Sequence, residues 1–438
     1  MDQRATHIIR QKMQGFKIRS LLIFVTICFY PLLSLAGSLP IPAKTHSDFI
    51  KTPTSIKEFI HYVWRTNPTI QAAQSEAARA DANFSQSQKP IYNPSLDLEA
   101  EHVRKEPFED TYTAGISQTI DLFNKRGARA AVGKHGFAEA KANLSAQQLG
   151  LATQALKALA EYRTAQMVVR FAKRRTQLLH RFKEQNVRKF KSGDIAQDAL
   201  DQASLAYAEA ISQQADEEVA LTKARQQLIA IAQTASQQWP QLPRRLPKPL
   251  RTSTTTQQQW LQKLPILQVY SARVAAAQAG VRVAQTETKP DPTISLRGGA
   301  EDKELLVGGS LSIPLFVRNN FQDQVRAANH QAIAVEELRM NVYRQVKAAL
   351  QGDLSRYRIL YDATNRWHRA SKHSLDGGID LLNRLWSAGE LSTTDYLVQL
   401  KQRIDSQIAG AELTGKAWQM WFSVMEASGQ LNPWLAKT

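Results

Sequence analysis

Apolar residues recur along this chain with two different periods, and the two alternate. Positions 151, 155, 158, 162, 165, 169, 172, 176 and 179 hold Leu, Ala, Ala, Tyr, Ala, Val, Ala, Thr and Leu. That four–three spacing keeps one stripe on one face of a coiled-coil-like helix. A second stripe runs through 200, 203, 207, 210, 214, 217, 221, 224, 228 and 231, and a weaker third through 343, 346, 350, 353, 357, 360, 364 and 367. Alanine is frequent in the first two, which suits close approach of neighbouring helices. Prolines are absent between Pro107 and Pro240 and between Pro314 and Pro433. Because an internal proline breaks a helix, these two stretches predict very long helices, over about 125–190 and about 319–387. The first would be on the order of 100 Å long at ~1.5 Å per residue, longer than any globular core.

Each long helix is predicted to end in a tight turn. Ser192-Gly193-Asp194 and Ala388-Gly389-Glu390 both place glycine where a helix stops, with an acidic residue opening the next one. Between the helical stretches the period changes to two. Leu96, Leu98 and Ala100 alternate with Asp97, Glu99 and Glu101, and Tyr112, Ala114, Ile116 and Ile120 alternate with Thr and Ser positions. Ile294 and Leu296, then Leu305, Val307, Leu311 and Ile313, repeat the pattern. These predict four strands, about 94–103, 111–120, 292–299 and 304–313. Segments near ten residues with one apolar and one polar face fit the strands of an outer-membrane barrel, and they also fit edge strands of a soluble sheet.

Landmarks recur at a nearly constant offset. Asn93-Pro94 matches Asp291-Pro292, Asn67-Pro68 matches Leu264-Pro265, Leu122-Phe123 matches Leu315-Phe316, and Gly193 matches Gly389. This predicts an internal duplication: a first structural repeat at 55–237 and a second at 257–430. Between them lies a Pro-rich linker, 238–256, and residues 431–438 form a C-terminal tail. At the other end, Arg4, Arg10, Lys12, Lys17 and Arg19 precede an apolar stretch from Leu21 to Leu35, with Ser34-Leu35-Ala36 supplying a small–x–small cleavage pattern. Residues 1–36 are thus predicted to be a signal peptide and 37–54 an N-terminal linker. A membrane anchor is the alternative for the first segment, and its shortness argues against that.

Composition narrows the classes further. The formal net charge is +17, from 56 Lys and Arg against 39 Asp and Glu. The cations lie along helices interleaved with Glu, Asp and Gln, with no nucleic-acid-binding signature, so no nucleic acid partner is expected. Cys28, the one cysteine, falls in the predicted signal peptide. This excludes a disulfide scaffold, a Cys-based zinc site and a Cys–His nucleophile downstream. The nine histidines include no His-x-x-x-His pair, and His368 and His373 are five apart, on different helix faces. No bound metal or other cofactor is expected. Absence of G-x-S-x-G, P-loop and G-x-G-x-x-G patterns gives no sign of an enzyme. Four strands are too few to close a barrel, and an open sheet in lipid would leave backbone groups unpaired. If the strands enter a membrane, several chains must share one barrel.

The ordered set of duplicated strand pairs, opened by Asn93-Pro94 and Asp291-Pro292, and of glycine tips at Gly193 and Gly389 resembles the outer-membrane efflux protein (TolC-like) family over about residues 55–430. Asn67-Pro68, Asn93-Pro94 and Lys125-Arg126-Gly127-Ala128-Arg129 look most like its heavy-metal (CzcC-like) branch. The resemblance implies a mainly α fold with a small β part. A homotrimer would build a shared twelve-stranded barrel in the outer-membrane lipid, above a long helical barrel in the periplasm of a Gram-negative cell. It implies passage without chemistry, for a periplasmic adaptor (membrane fusion) protein and a proton-driven inner-membrane efflux pump. The substrate would be heavy-metal cations; a multidrug or type I protein-secretion duct shares the fold.

The same resemblance places a pore constriction at Trp386, Gly389 and Asp395, where three copies of the aspartate would attract cations. Leu391 and Val398 depart from the charged residues that help lock the entrance in TolC, so closure here is built differently. Adaptor hairpins would dock at the tips Ser192, Gly193, Asp194, Ala388, Gly389 and Glu390. A periplasmic coiled-coil scaffold or adaptor without a pore would account for the helices, but it leaves two amphipathic strand pairs without a purpose.

Overall fold

The computed structural model describes residues 55–103, 109–233, 239–301, 304–375 and 378–436. The predicted signal peptide, with Cys28, lies outside the described residues. The described residues open with two helices, α1 (Ile56–Thr66) and α2 (Pro68–Ser87). Ser55 and Glu58 form a reciprocal capping box at the start of α1, satisfying two of the backbone N–H groups that a helix start leaves free. Asn67 caps α2 ahead of Pro68, where a missing N–H costs nothing. Strands β1 (Ser95–Val103) and β2 (Glu109–Thr119) follow, then α3 (Lys125–Lys191) and α4 (Gln197–Ala232).

The second half runs α5 (Thr254–Lys263), α6 (Pro265–Glu287), β3 (Thr293–Glu301), β4 (Glu304–Ser312), α7 (Gln322–Leu375), α8 (Gly378–Ser387) and α9 (Thr393–Ser428). A short α10 (Leu431–Leu435) is the last described helix. Within the stretch expected to be helical, about 319–387, α7 runs to Leu375 and α8 from Gly378.

The four strands make one antiparallel sheet in the order β1-β2-β3-β4, so the strand pairs of the two halves join side by side. The sheet stands at the N-terminal end of α3, and two apolar cores lie farther along that helix. In the larger, Leu156 and Leu159 of α3 meet Phe59 of α1, Leu228 of α4 and Trp421 and Phe422 of α9. In the smaller, near the far end, Leu179 and Phe182 meet Ala203 and Ala210 of α4, Leu382 and Trp386 of α8, and Tyr396 and Leu400 of α9. None of the nine positions of the first predicted stripe is exposed, nor any of the second or third. The Pro-rich connection between the halves is held to the stem: Arg163 donates to the carbonyls of Trp239 and Pro240, and the Tyr357 hydroxyl donates to the Pro247 carbonyl at 2.5 Å.

Candidate functional site

Register turns the strand alternation into two surfaces of opposite character. Three rows cross all four strands on one face: Leu96, Ile116, Leu296 and Gly309; Leu98, Ala114, Gly298 and Val307; and Ala100, Tyr112, Ala300 and Leu305. The other face carries Asp97, Gly115, Arg297 and Gly308, then Ser95, Ser117, Ser295 and Ser310, and at the far end Glu101, Thr111, Glu301 and Glu304. Ser117 Oγ donates to Asp97 at 3.0 Å, and Thr119 and Thr293 share a hydroxyl contact at 2.8 Å. No described helix covers the apolar face: Leu98 is 73 % exposed, Leu296 68 % and Leu305 83 %. A contiguous apolar patch of this kind marks a surface made for another apolar medium or a partner. Strands β1 and β4 are its free edges. No described helix is long and apolar enough to cross a membrane.

A buried ion pair joins sheet to stem. Lys125 Nζ, at the start of α3, lies 2.9 Å from Asp291 Oδ2, just before β3, and also donates to the Lys289 carbonyl at 2.7 Å. The Tyr92 hydroxyl donates to the same Asp291 oxygen at 2.8 Å. Burial and this carboxylate push the Tyr92 phenol up to about 12. Asp121 caps the start of α3, accepting from the backbone N–H groups of Lys125 and Arg126. Burial raises its carboxyl, but those hydrogen bonds and the Lys125 charge outweigh it and hold the group below its ordinary value. The residues that meet here are far apart in the sequence, and sequence reasoning missed the pair; its one local signal is the basic run at 125–129.

At the opposite end the two helical hairpins turn identically. Gly193 N–H donates to Phe190 O at 3.0 Å and Asp194 N–H to Lys189 O at 2.8 Å. Gly389 N–H donates to Trp386 O at 3.1 Å and Glu390 N–H to Leu385 O at 3.0 Å. This is the Schellman pattern, with glycine left-handed at φ 83° and 78°. Ser192 Oγ donates to Asp194 Oδ2 at 2.7 Å. Ala388 and Glu390 flank the second turn, exposed like the first.

Two of the expected constriction residues sit differently from one another. Asp395 is exposed in the first turn of α9, where its carboxylate accepts from Ser392 Oγ at 2.6 Å while its N–H donates back to that hydroxyl. Trp386 is 4 % exposed, its ring 4.6 Å from Phe182 and 5.5 Å from Tyr396, with Lys189 Nζ over it at 4.4 Å. In the single chain it packs the core behind the tip rather than presenting a free ring. Leu391 packs against the same core, and Val398 is exposed.

The hairpins are tied by polar contacts that no motif announced. Arg175 reaches Asp405 at 3.1 Å, Lys401 reaches Glu209 at 3.1 Å, and Thr394 Oγ1 donates to Gln202 at 2.9 Å. The hydrogen bond and charge of Lys401 hold the Glu209 carboxyl below its usual value. Among the described residues no group of three or more His, Cys, Asp or Glu is placed to hold a metal ion.

Residues 61–232 match the model of the outer membrane efflux protein family. No curated protein matches the sequence. Among solved structures, the Campylobacter jejuni CmeC outer membrane channel superposes with a TM-score of 0.73 at 16 % identity, covering 85 % of each chain. The outer membrane protein VceC from Vibrio cholerae gives 0.69 at 16 %, covering 85 % of this chain and 96 % of its own. CusC, described as forming a transmembrane channel, gives 0.67 at 14 %, covering 85 % and 91 %. The fold is that of outer-membrane efflux channels.

Proposed function

We propose that three copies of this chain form an outer-membrane channel of a tripartite efflux system. The supporting observation is the sheet: an apolar face that no described helix covers, a polar opposite face, and two free edges, on a stem none of whose apolar-stripe positions is exposed. Four strands satisfy their backbone in lipid only if β1 of one copy pairs with β4 of the next, and three copies give the twelve strands a closed barrel of this kind would have. The apolar face then meets hydrocarbon, the polar face lines the pore, and the stem projects into the periplasm of a Gram-negative cell. Residues 1–36 direct export.

In this reading the tips at 192–194 and 388–390 meet a periplasmic adaptor, and an inner-membrane, proton-driven pump supplies the work. Asp395, exposed near the second tip, forms a threefold carboxylate ring that favours cations, with Trp386 as the packing behind it. The chain performs no catalysis and holds no cofactor. Heavy-metal cations are the proposed cargo, on the strength of Asn67-Pro68, Asn93-Pro94 and Lys125-Arg126-Gly127-Ala128-Arg129.

Detergent-purified protein is expected to have about three times the chain mass and to open pores in planar bilayers, with Asp395→Ala lowering their cation selectivity. A detergent-independent monomer without conductance sinks the channel. Growth of a deletion strain on zinc, cobalt, cadmium, copper and silver, beside dyes and detergents, decides the cargo: sensitivity confined to dyes and detergents replaces metals with drugs.

A further inference from the structure

Helix α3 carries 16 Lys and Arg against 3 Glu, and beyond residue 36 the rest of the chain balances to zero. Nine of those cations fall within residues 170–191, against Glu184 alone. Four are used inside the fold. Arg175 pairs with Asp405, Lys173 with Glu218, Lys183 lies over the Tyr207 ring at 5.4 Å, and Lys189 over Trp386. The other five, Arg170, Arg174, Arg181, Arg188 and Lys191, are exposed and have no ion-pair partner among the described residues. With Gln177 and Glu184 they keep a four–three spacing, a straight stripe opposite the side on which Leu179, Phe182 and Asn186 are buried. Like charges one turn apart repel, so the helix alone gains nothing from this arrangement.

We propose that this stripe is the docking face for an acidic helical segment of a separate periplasmic protein, laid lengthwise along α3. The inference rests on the channel reading for its periplasmic setting and adds the chemistry of the partner. Four of the five cations are arginine, whose planar fork binds carboxylates bidentately and keeps its charge. The stripe spans roughly 30 Å, about the length of a six-turn helix. A second copy is not the occupant argued for: the flanks of α3 are already taken by α4 and by α8 and α9 of the same chain, and the free sheet edges are β1 and β4. Bilayer around the sheet is also out of reach: the stripe begins 45 residues into α3, roughly 70 Å of helix from the strands.

The test uses the full-length protein in detergent and three synthetic helical hairpins that differ only along one four–three stripe: Glu, Gln or Lys. The Glu hairpin is expected to bind in a salt-sensitive manner, at least about tenfold more tightly than the Gln hairpin. The triple variant R174E/R181E/R188E should reverse the preference to the Lys hairpin, and R174Q/R181Q/R188Q should abolish it, each with wild-type helical content and thermal midpoint. Equal binding of the Glu and Gln hairpins overturns the proposal, as does Glu-hairpin binding unchanged by either variant. So does a preference of the stripe for phosphatidylglycerol vesicles over the Glu hairpin, which would make it a lipid contact. A changed oligomer mass with unchanged hairpin binding would hand the stripe to a second copy, and a changed pore selectivity with unchanged hairpin binding would make it pore wall. Wild-type conductance is recorded separately, so that loss of the channel reading and loss of the acidic partner are told apart.

Discussion

The sheet and the stem use apolar residues in opposite ways. In the stem every position of the three predicted stripes is turned inward, and Leu156, Leu159, Leu228 and Phe422 are fully enclosed by neighbouring helices of the same chain. In the sheet the apolar residues are the exposed ones, from Leu96 and Leu98 on β1 to Leu305, Val307 and Leu311 on β4. Burial at about 25 cal/mol per Å² makes the first arrangement self-sufficient in water, and the same accounting makes the second a liability there. In the channel reading one chain meets two solvents, and the boundary between them falls at the Lys125–Asp291 pair, where strand meets helix.

That contrast can be broken from either side. Phe182→Ala removes the ring that stacks on Tyr396 at 4.3 Å and contacts Trp386 at 4.6 Å. It is expected to lower stability by about 3–5 kcal/mol, read by chemical denaturation of the helical signal, while leaving bilayer insertion intact in the surviving folded protein. Loss of insertion with unchanged stability would reverse the roles assigned to the two regions. Leu296→Arg attacks the other side. Its cost is expected to be about 2–4 kcal/mol in lipid, seen as failure to reconstitute, with little change in the denaturation of the stem in detergent. Full insertion of this variant would mean that the apolar face does not meet hydrocarbon.

The smallest expected effect is confined to the tip core. Burial raises the Tyr396 phenol to about 12, and its hydroxyl donates to Asn383 at 2.7 Å. A folded-state value above the unfolded one contributes stability that is complete below about pH 10 and is lost as pH rises toward about 12. Tyr396→Phe should flatten that alkaline decline in the tip, monitored by the fluorescence of Trp386, without altering the sheet. An alkaline profile identical to wild type would show that the phenol is not what titrates.

Legibility followed the range of the interactions. The strand alternation at 96–100 and 294–296 was visible because the period of two is local, and the antiparallel four-stranded sheet within a mainly helical chain bears it out. The turns at Gly193 and Gly389 were visible for the same reason, since a left-handed residue after a helix selects glycine within a few positions. Candidate site residues were harder. Asp395 was picked by its distance from Gly389, and the structure adds a local task, capping α9 with Ser392, that no spacing excluded. Trp386 was picked the same way and lies in the core. The ties Arg175–Asp405 and Lys401–Glu209 had no signal at all, because nothing in a single sequence couples residues 192 or more positions apart.

Sequence alone determined the alternation of periods, the proline-free lengths that permit long helices and the glycine turns. These depend on backbone geometry and composition within a few turns. Only the tertiary structure decided that the two strand pairs join through β2 and β3 and that the three apolar rows fall on one exposed face, with Leu306 on the other. It alone sorted the cations of α3 into those satisfied by Asp405, Glu218, Tyr207 and Trp386 and those left facing outward. Register and side-chain partnership are set by which distant segments meet, and that choice is made by the packing of the whole chain rather than by any window of it.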